Sequence, residues 1–313
     1  MAEFEKIVIV TQKTGLDELT ERYNTKQQAK FYIRHMGGSF EEYENSHKLY
    51  YQSLKNLKRL IPLTERIQII ERSFLPNFIF NPDDLIIILG RDGLVINTAK
   101  YLTEQKILAF NPDPTRIEGI LLPFQVKDLP QQLSLLKKEE ENLIKISLTQ
   151  ASLSDSQTLY GVNDIFVGHQ SHQSARYKIR FRGFEENHIS SGIIISTGIG
   201  STGWFKSILT GAISLSKHYR YSNLEIPLEN DYRIPWDANH LYFCVREPWT
   251  SKISGNNLVF GKIEQGEELE IESNMPAGGT IFSDGIENDR LLFTSGVTAK
   301  IGLADKKVNF VSY

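Results

Sequence analysis

The sequence predicts an α/β protein with a β-rich second half, and three features of the chain carry that prediction. In roughly the first 140 residues, short apolar runs alternate with helical stretches, the pattern of a doubly wound parallel sheet whose strands are buried on both faces. Past the charge run Lys137-Lys138-Glu139-Glu140-Glu141, strands dominate, predicting a mostly antiparallel β domain. Two glycine-rich segments each stand between an apolar strand and a helix: Gly90-Arg91-Asp92-Gly93 after Leu85 to Leu89, and Gly198-Ile199-Gly200-Ser201-Thr202-Gly203 after Ile193 to Ile195. The expected domains are residues 1–140 and 141–313.

The elements follow in order. A first strand is expected at Lys6 to Val10. Thr25 with Gln28 and Ser39 with Glu42 match the capping-box pattern, with Gly37-Gly38 as a stop between two helices. Phe40, Tyr43, His47, Tyr50, Leu54 and Leu57 recur at helical spacing and should face a core. Further strands are expected near Ile67 to Ile70, Leu85 to Leu89 and Ile107 to Phe110, with helices after Gly93 and after Asp128. In the second domain the expected strands are Leu143 to Leu148, Asp164 to Val167, Tyr177 to Phe181, Gly192 to Ser196, Leu241 to Val245, Leu269 to Glu272, Thr280 to Ser283 and Val308 to Val311. One helix is inserted after Gly203.

The chain of 313 residues is 40% hydrophobic and 11% aromatic, enough for a sizeable core. With 35 basic against 38 acidic residues its net charge is −3, so no global basic field collects nucleic acid or an anionic membrane. No apolar run approaches the roughly 18 residues that span a bilayer, and Met1 to Lys6 lacks a basic segment followed by an apolar one. A cytoplasmic location with no membrane partner is the expectation. The one cysteine, Cys244, excludes an intramolecular disulfide and reads as a buried strand residue.

Both glycine-rich turns read as phosphate sites, because backbone N–H groups there can approach an anion and a helix N-terminus adds a favourable dipole. Asp92 has the wrong charge for holding phosphate. It is suited instead to accepting a proton from a hydroxyl or to binding a metal ion. Gly198, Gly200 and Gly203 also fit the dinucleotide spacing G-x-G-x-x-G, with Glu225 downstream. A dehydrogenase unit, however, needs a parallel strand soon after the helix, and the next strand here starts near Leu241. Ser201 and Thr202 can cap the following helix. Asn163-Asp164 reads either as an Asx turn or as a ribose or base contact, and Ser283-Asp284-Gly285 either as a plain hairpin turn or as a border of the nucleotide site. His169 and His172 read as exposed loop residues, and no metal ligands are assigned.

Taken together, Gly90-Arg91-Asp92-Gly93, Asn163-Asp164 and Ile199-Gly200-Ser201-Thr202-Gly203-Trp204 resemble the motifs of the NAD kinase superfamily, especially bacterial NAD kinase-like proteins and the mitochondrial-type branch. Tyr23-Asn24-Thr25, Asn111-Pro112-Asp113-Pro114 and Val245-Arg246-Glu247-Pro248 resemble stretches of that branch. The resemblance implies an N-terminal Rossmann-like domain, a C-terminal β-rich NAD-binding domain, and ATP- and Mg2+-dependent phosphorylation of the adenosine 2′-hydroxyl of NAD by a homodimer or higher homo-oligomer. Asp92 would be the base. Gly90, Arg91, Gly93, Asn163, Asp164, Gly198, Gly200, Ser201, Thr202 and Trp204 would surround the nucleotides.

The departures fall on contacts rather than on the frame. Arg91 replaces a glycine, which either adds a cation for the transferring phosphate or fills space the nucleotide needs. Asp164 is one methylene shorter than the family's glutamate, Ser191 stands for an aspartate, and Leu94 for a threonine. The alternatives are a kinase of the same fold acting on a sugar, nucleoside or lipid hydroxyl, and a nucleotide-binding protein without turnover.

Overall fold

The computed structural model describes residues 4–219 and 233–313. The chain divides into two compact units, one of Met1–Ile144 with Asn309–Tyr313 and the other of Lys145–Val308.

The first unit contains β1 (Ile7–Thr11), α1 (Gly15–Tyr23), α2 (Lys26–His35), α3 (Phe40–Leu60), β2 (Ile67–Glu71), β3 (Leu85–Leu89), α4 (Asp92–Ala99), β4 (Lys106–Asn111), β5 (Phe124–Gln125) and α5 (Leu129–Lys138). Its sheet runs β2-β1-β3-β4, every pair parallel. Asn309 and Phe310 pair parallel with Lys106 and Ile107 at one end of β4, and β5 pairs at the other. All five residues of β1 and of β3 are buried, as continuous apolar runs in a sheet covered on both faces require. Tyr50 and Leu57 of α3 and Leu129, Leu133 and Leu136 of α5 pack into that core.

Helix α1 is absent from the expectation. Its signal is a capping box with aspartate in the third position: Thr14 accepts the Asp17 N–H, and the Asp17 carboxylate accepts the Thr14 N–H at 2.8 Å. The expected box at Ser39 does not form, since Ser39 makes no side-chain cap bond. Gly37-Gly38 ends α2 as expected, with Gly37 at φ +78 and the amides of Gly37 and Gly38 donating to Arg34 and Ile33. On α3, Tyr43 is exposed because only part of the helix faces the sheet.

The second unit holds β6 (Asn142–Leu153), whose first three residues belong to the first unit, β7 (Thr158–Gly161), β8 (Asp164–His169), β9 (Ala175–Phe181), β10 (Phe184–Ser190), β11 (Ile193–Ser196), α6 (Trp204–His218), β12 (His240–Val245), β13 (Phe260–Glu264), β14 (Leu269–Ser273), β15 (Gly279–Ser283), β16 (Ile286–Leu292) and β17 (Thr298–Ser312), whose last residues enter the first unit. One sheet runs β13-β12-β11-β8-β15-β16, antiparallel throughout. The other carries β10-β9-β14-β17, with β6 between β17 and β7. Ile165, Ile193 and Phe243 of the first sheet share a core with Tyr177, Ile271 and Ile301 of the second. The fold is thus a parallel α/β unit plus a β-rich, largely antiparallel one. Four strands of this unit are missing from the expectation, β7, β10, β13 and β16; the last three end their sheets and β7 pairs with β6 alone. Edge strands expose one side to water and carry charges there, so FEENHIS and IENDRLL lack the apolar run that marks a central strand.

Candidate functional site

In the first unit the candidate site stands at the C-terminal ends of β3 and β4, where open parallel sheets place their ligands. Gly90 is buried, and a Cβ there would lie 2.7 Å from Leu94 Cδ2, so any larger residue at 90 would require the buried Leu94 side chain to shift. Tyr50 braces the strand end by accepting the Gln12 N–H at 3.0 Å and donating to the Leu89 carbonyl at 3.1 Å. Burial pushes its phenol far above the ordinary tyrosine range.

Arg91 is the N-cap of α4 and Asp92 its first helical residue. The first amides of a helix have no partner within it, so the N–H groups of Asp92 and Gly93 point out of the turn. Asp92 is half-buried, and its Oδ1 accepts the Leu121 N–H at 2.7 Å. Oδ2 has no hydrogen bond to any described residue. The 111–122 loop that supplies Leu121 is internally tied: Asn111 Nδ2 donates to the Ile117 carbonyl at 2.9 Å, and the Asp113 N–H donates to Asn111 Oδ1 at 2.9 Å. Arg91 is exposed and makes no ion pair with a described residue. Gly93 has open space around it.

In the second unit a second constellation forms where β8 begins. Its neighbours β11 and β15 both run antiparallel to it, so their C-terminal ends meet its start. From β11, Thr197 Oγ1 donates to the Val162 carbonyl at 2.5 Å and to the Asn163 carbonyl at 3.1 Å. From the β15–β16 turn, Asp284 accepts the N–H groups of Val162, Asn163 and Asp164. Asp164 is buried, and desolvation together with the nearby Asp284 charge raises its carboxyl to about 7. Asn163 Oδ1 is buried and has no hydrogen-bond partner among the described residues.

The second glycine-rich turn differs from expectation. Its amides do not form an anion cradle: Gly200 donates to Thr197 Oγ1, Ser201 to Thr197 O, Thr202 to Ile199 O and Gly203 to Gly200 O. The chain forms a 3-10 turn over Gly200–Thr202 before α6 starts, and that turn consumes its own donors. Gly198 and Gly200 are needed because a Cβ would run into the carbonyl oxygens of Pro235 and Asn163, respectively. Ser201 is buried, donates to the Gly198 carbonyl at 2.6 Å and accepts the Ile234 N–H at 3.2 Å, so its hydroxyl holds the turn together and does not cap α6. Thr202 is half-buried and bonds the Ile199 carbonyl. Trp204 stacks on Phe166 with centroids 5.7 Å apart and carries the Arg246 guanidinium 5.1 Å from its ring.

The strand before this turn is antiparallel to both neighbours, so G-x-G-x-x-G does not sit in a dinucleotide βαβ unit. Glu225 lies outside the described residues. His169 Nδ1 accepts the Ser171 N–H, and no group of three metal-ligating side chains occurs among the described residues. Cys244 is a half-buried free thiol raised by burial. Sequence reading missed Leu121, Thr197 and the anchoring role of Asp284. Of these only Asp284 carried a signal, its place beside Gly285 in a turn.

An α/β unit with an acid at the end of a central parallel strand, joined in sequence to a β-rich, largely antiparallel unit, defines the structural class of this chain. Comparison with known proteins narrows it. The chain is 24% identical over 210 residues to a probable NADH kinase of Oryza sativa subsp. japonica, covering 59% of this chain and 58% of that one. It is 23% identical over 152 residues to an NAD kinase of Rhizobium meliloti (strain 1021), covering 47% and 55%. These alignments span little more than half the length of the curated relatives. No family model matches the chain. In fold it is similar to the crystal structure of yeast NADH kinase complexed with NADH, with TM-score 0.59 and 14% identity over 99% of this chain and 84% of that one. It is likewise similar to an NAD kinase from Archaeoglobus fulgidus in complex with ATP, with TM-score 0.57 and 16% identity over 97% and 92%. Both the sequence relatives and the structures of similar fold are proteins named NAD kinase or NADH kinase.

Proposed function

We propose that this chain is an ATP-dependent phosphotransferase of the NAD kinase kind, phosphorylating the adenosine 2′-hydroxyl of NAD to give NADP. The observation that carries the reading is Asp92: one carboxylate oxygen is fixed by the Leu121 N–H, and the other has no partner among the described residues. A carboxylate held in that way can take the proton of an attacking hydroxyl, a contribution of roughly 10²- to 10⁴-fold. The remaining barrier falls to positioning and charge neutralisation. Arg91 and the first amides of α4 supply positive potential for phosphate. Gly90 keeps the turn compact and Gly93 leaves open space beside Asp92, and Gly198, Gly200 and Ser201 build the second turn from within. Asn163, Asp164, Thr202 and Trp204 present polar and aromatic groups to the nucleotide.

Magnesium enters this proposal with the ATP phosphates, which it would neutralise. Such ions usually keep several waters and are held largely by the substrate phosphates, and no side chain of this chain is assigned as their ligand. No helix among the described residues is long and apolar enough to cross a membrane. A cytoplasmic location and a homodimer belong to the same proposal and rest on the superfamily resemblance.

The test is NADP formation from NAD with ATP and Mg2+, comparing the unmodified chain with Asp92→Asn. A loss of about a hundredfold or more in a folded variant supports the reading. If neither protein forms NADP, NAD is not the acceptor.

A further inference from the structure

Asp284 does more than turn a hairpin. Its backbone is left-handed at φ +58, a conformation that aspartate and asparagine tolerate better than most residues. In that pose Oδ1 accepts the Asn163 N–H at 2.7 Å, the Val162 N–H at 3.0 Å and the Asp164 N–H at 3.4 Å, while Oδ2 accepts Val162 at 3.1 Å. The Asp284 N–H returns a bond to the Asp164 carbonyl at 3.1 Å. Thr197 ties the opposite side of the same segment through the Val162 and Asn163 carbonyls. Three successive amides converging on one carboxylate make an anion nest occupied by a side chain of the protein itself. Bonds to a charged acceptor are stronger than neutral ones.

The clamped segment is the one that presents Asn163, whose buried Oδ1 has no hydrogen-bond partner among the described residues. A buried acceptor left unpaired is costly, so it marks a place where a donor from outside the described residues is accommodated.

We propose that Asp284 is a positioning residue for nucleotide binding, fixing the 162–164 backbone so that Asn163 and Asp164 meet the ribose hydroxyls of the nucleotide acceptor. The proposal rests on the kinase reading above. It assigns Asp284 no contact with the reacting atoms.

The test compares Asp284→Asn and Asp284→Gly in the full chain. Both residues accept positive φ, so neither strains the turn; asparagine keeps a neutral acceptor, while glycine removes it. Amide hydrogen exchange at Val162, Asn163 and Asp164 is measured without nucleotide, and KM is measured separately for NAD and for ATP. The expected result is faster exchange at those amides and a KM for NAD raised about tenfold in Asp284→Asn, more in Asp284→Gly, with KM for ATP within about twofold. Combining Asp284→Asn with Asp164→Asn should give less than the sum of the single effects, as residues acting through one another do. An unmodified chain that makes NADP, with variants whose KM for NAD is unchanged or whose two KM values rise together, overturns the positioning role. An unmodified chain that neither binds NAD nor forms NADP fails the kinase reading instead, and unchanged exchange at the three amides would then overturn the clamp by itself.

Discussion

Gly200 packs its Cα against the backbone of Asn163: any Cβ on the glycine would run into the Asn163 carbonyl oxygen, which also accepts the Thr197 N–H at 2.9 Å. Backbone cannot retreat as a flexible side chain can. Gly200→Ala should therefore cost about 1–3 kcal/mol or more of stability and displace the Asn163-Asp164 segment. Gly93→Ala is the contrast, since nothing stands within 4 Å of the added carbon and the residue lies inside α4. It should be neutral or stabilise by up to about 1 kcal/mol, following the helix propensities. Urea unfolding of both variants checks the pair, and a Gly93→Ala protein that unfolds as readily as Gly200→Ala would contradict the packing argument.

Asp164 gives the protein a defined pH response. Its folded carboxyl is raised to about 7 by burial first and the Asp284 charge second. An acid raised on folding keeps its proton in the native state after the unfolded chain has lost it. Its contribution to stability is complete below about pH 4, the unfolded value, and is lost as pH rises to about 7. Asp164→Asn removes this dependence. Unfolding measured from pH 4 to 8 should show the variant gaining on the unmodified chain across that window and levelling above it; a constant difference at every pH would refute the assignment.

Asp92→Asn should separate chemistry from folding. The amide oxygen can still accept the Leu121 N–H that Oδ1 accepts at 2.7 Å, so the 111–122 loop keeps its tie. The variant loses the proton acceptor, and kcat should fall about 10²- to 10⁴-fold with KM for NAD little changed. A matching rise in KM with kcat preserved would mean that Asp92 binds substrate rather than serving as base.

Arg91 is exposed, so Arg91→Gly should leave thermal stability within about 0.5 kcal/mol. If its guanidinium neutralises phosphate, KM for ATP should rise severalfold and the effect should shrink as salt is added. Activity that appears only in Arg91→Gly would show instead that the side chain fills space the nucleotide needs.

What the sequence determined by itself is the local chemistry. The apolar run at Leu85–Leu89 announced a strand buried on both faces, the glycines at 90, 198 and 200 marked turns between strand and helix, and Asp92 stood out because an acid is anomalous in a phosphate-like turn. The motif order was enough to suggest the superfamily. The edge strands β10, β13 and β16 escaped because most of their residues are exposed or half-buried and polar, which dilutes the apolar signal, and α1 escaped because aspartate replaced glutamate in its capping box. Tertiary structure alone decided who holds whom. Asp284 reaches the amides of residues 162–164 across more than a hundred positions of sequence, Leu121 pins Asp92, and the second glycine turn spends its N–H groups on Thr197, Ile199 and Gly200. Propensity and periodicity describe a residue and its near neighbours in the chain, whereas an amide's partner is fixed by strand order and register, which bring distant segments into hydrogen-bonding distance.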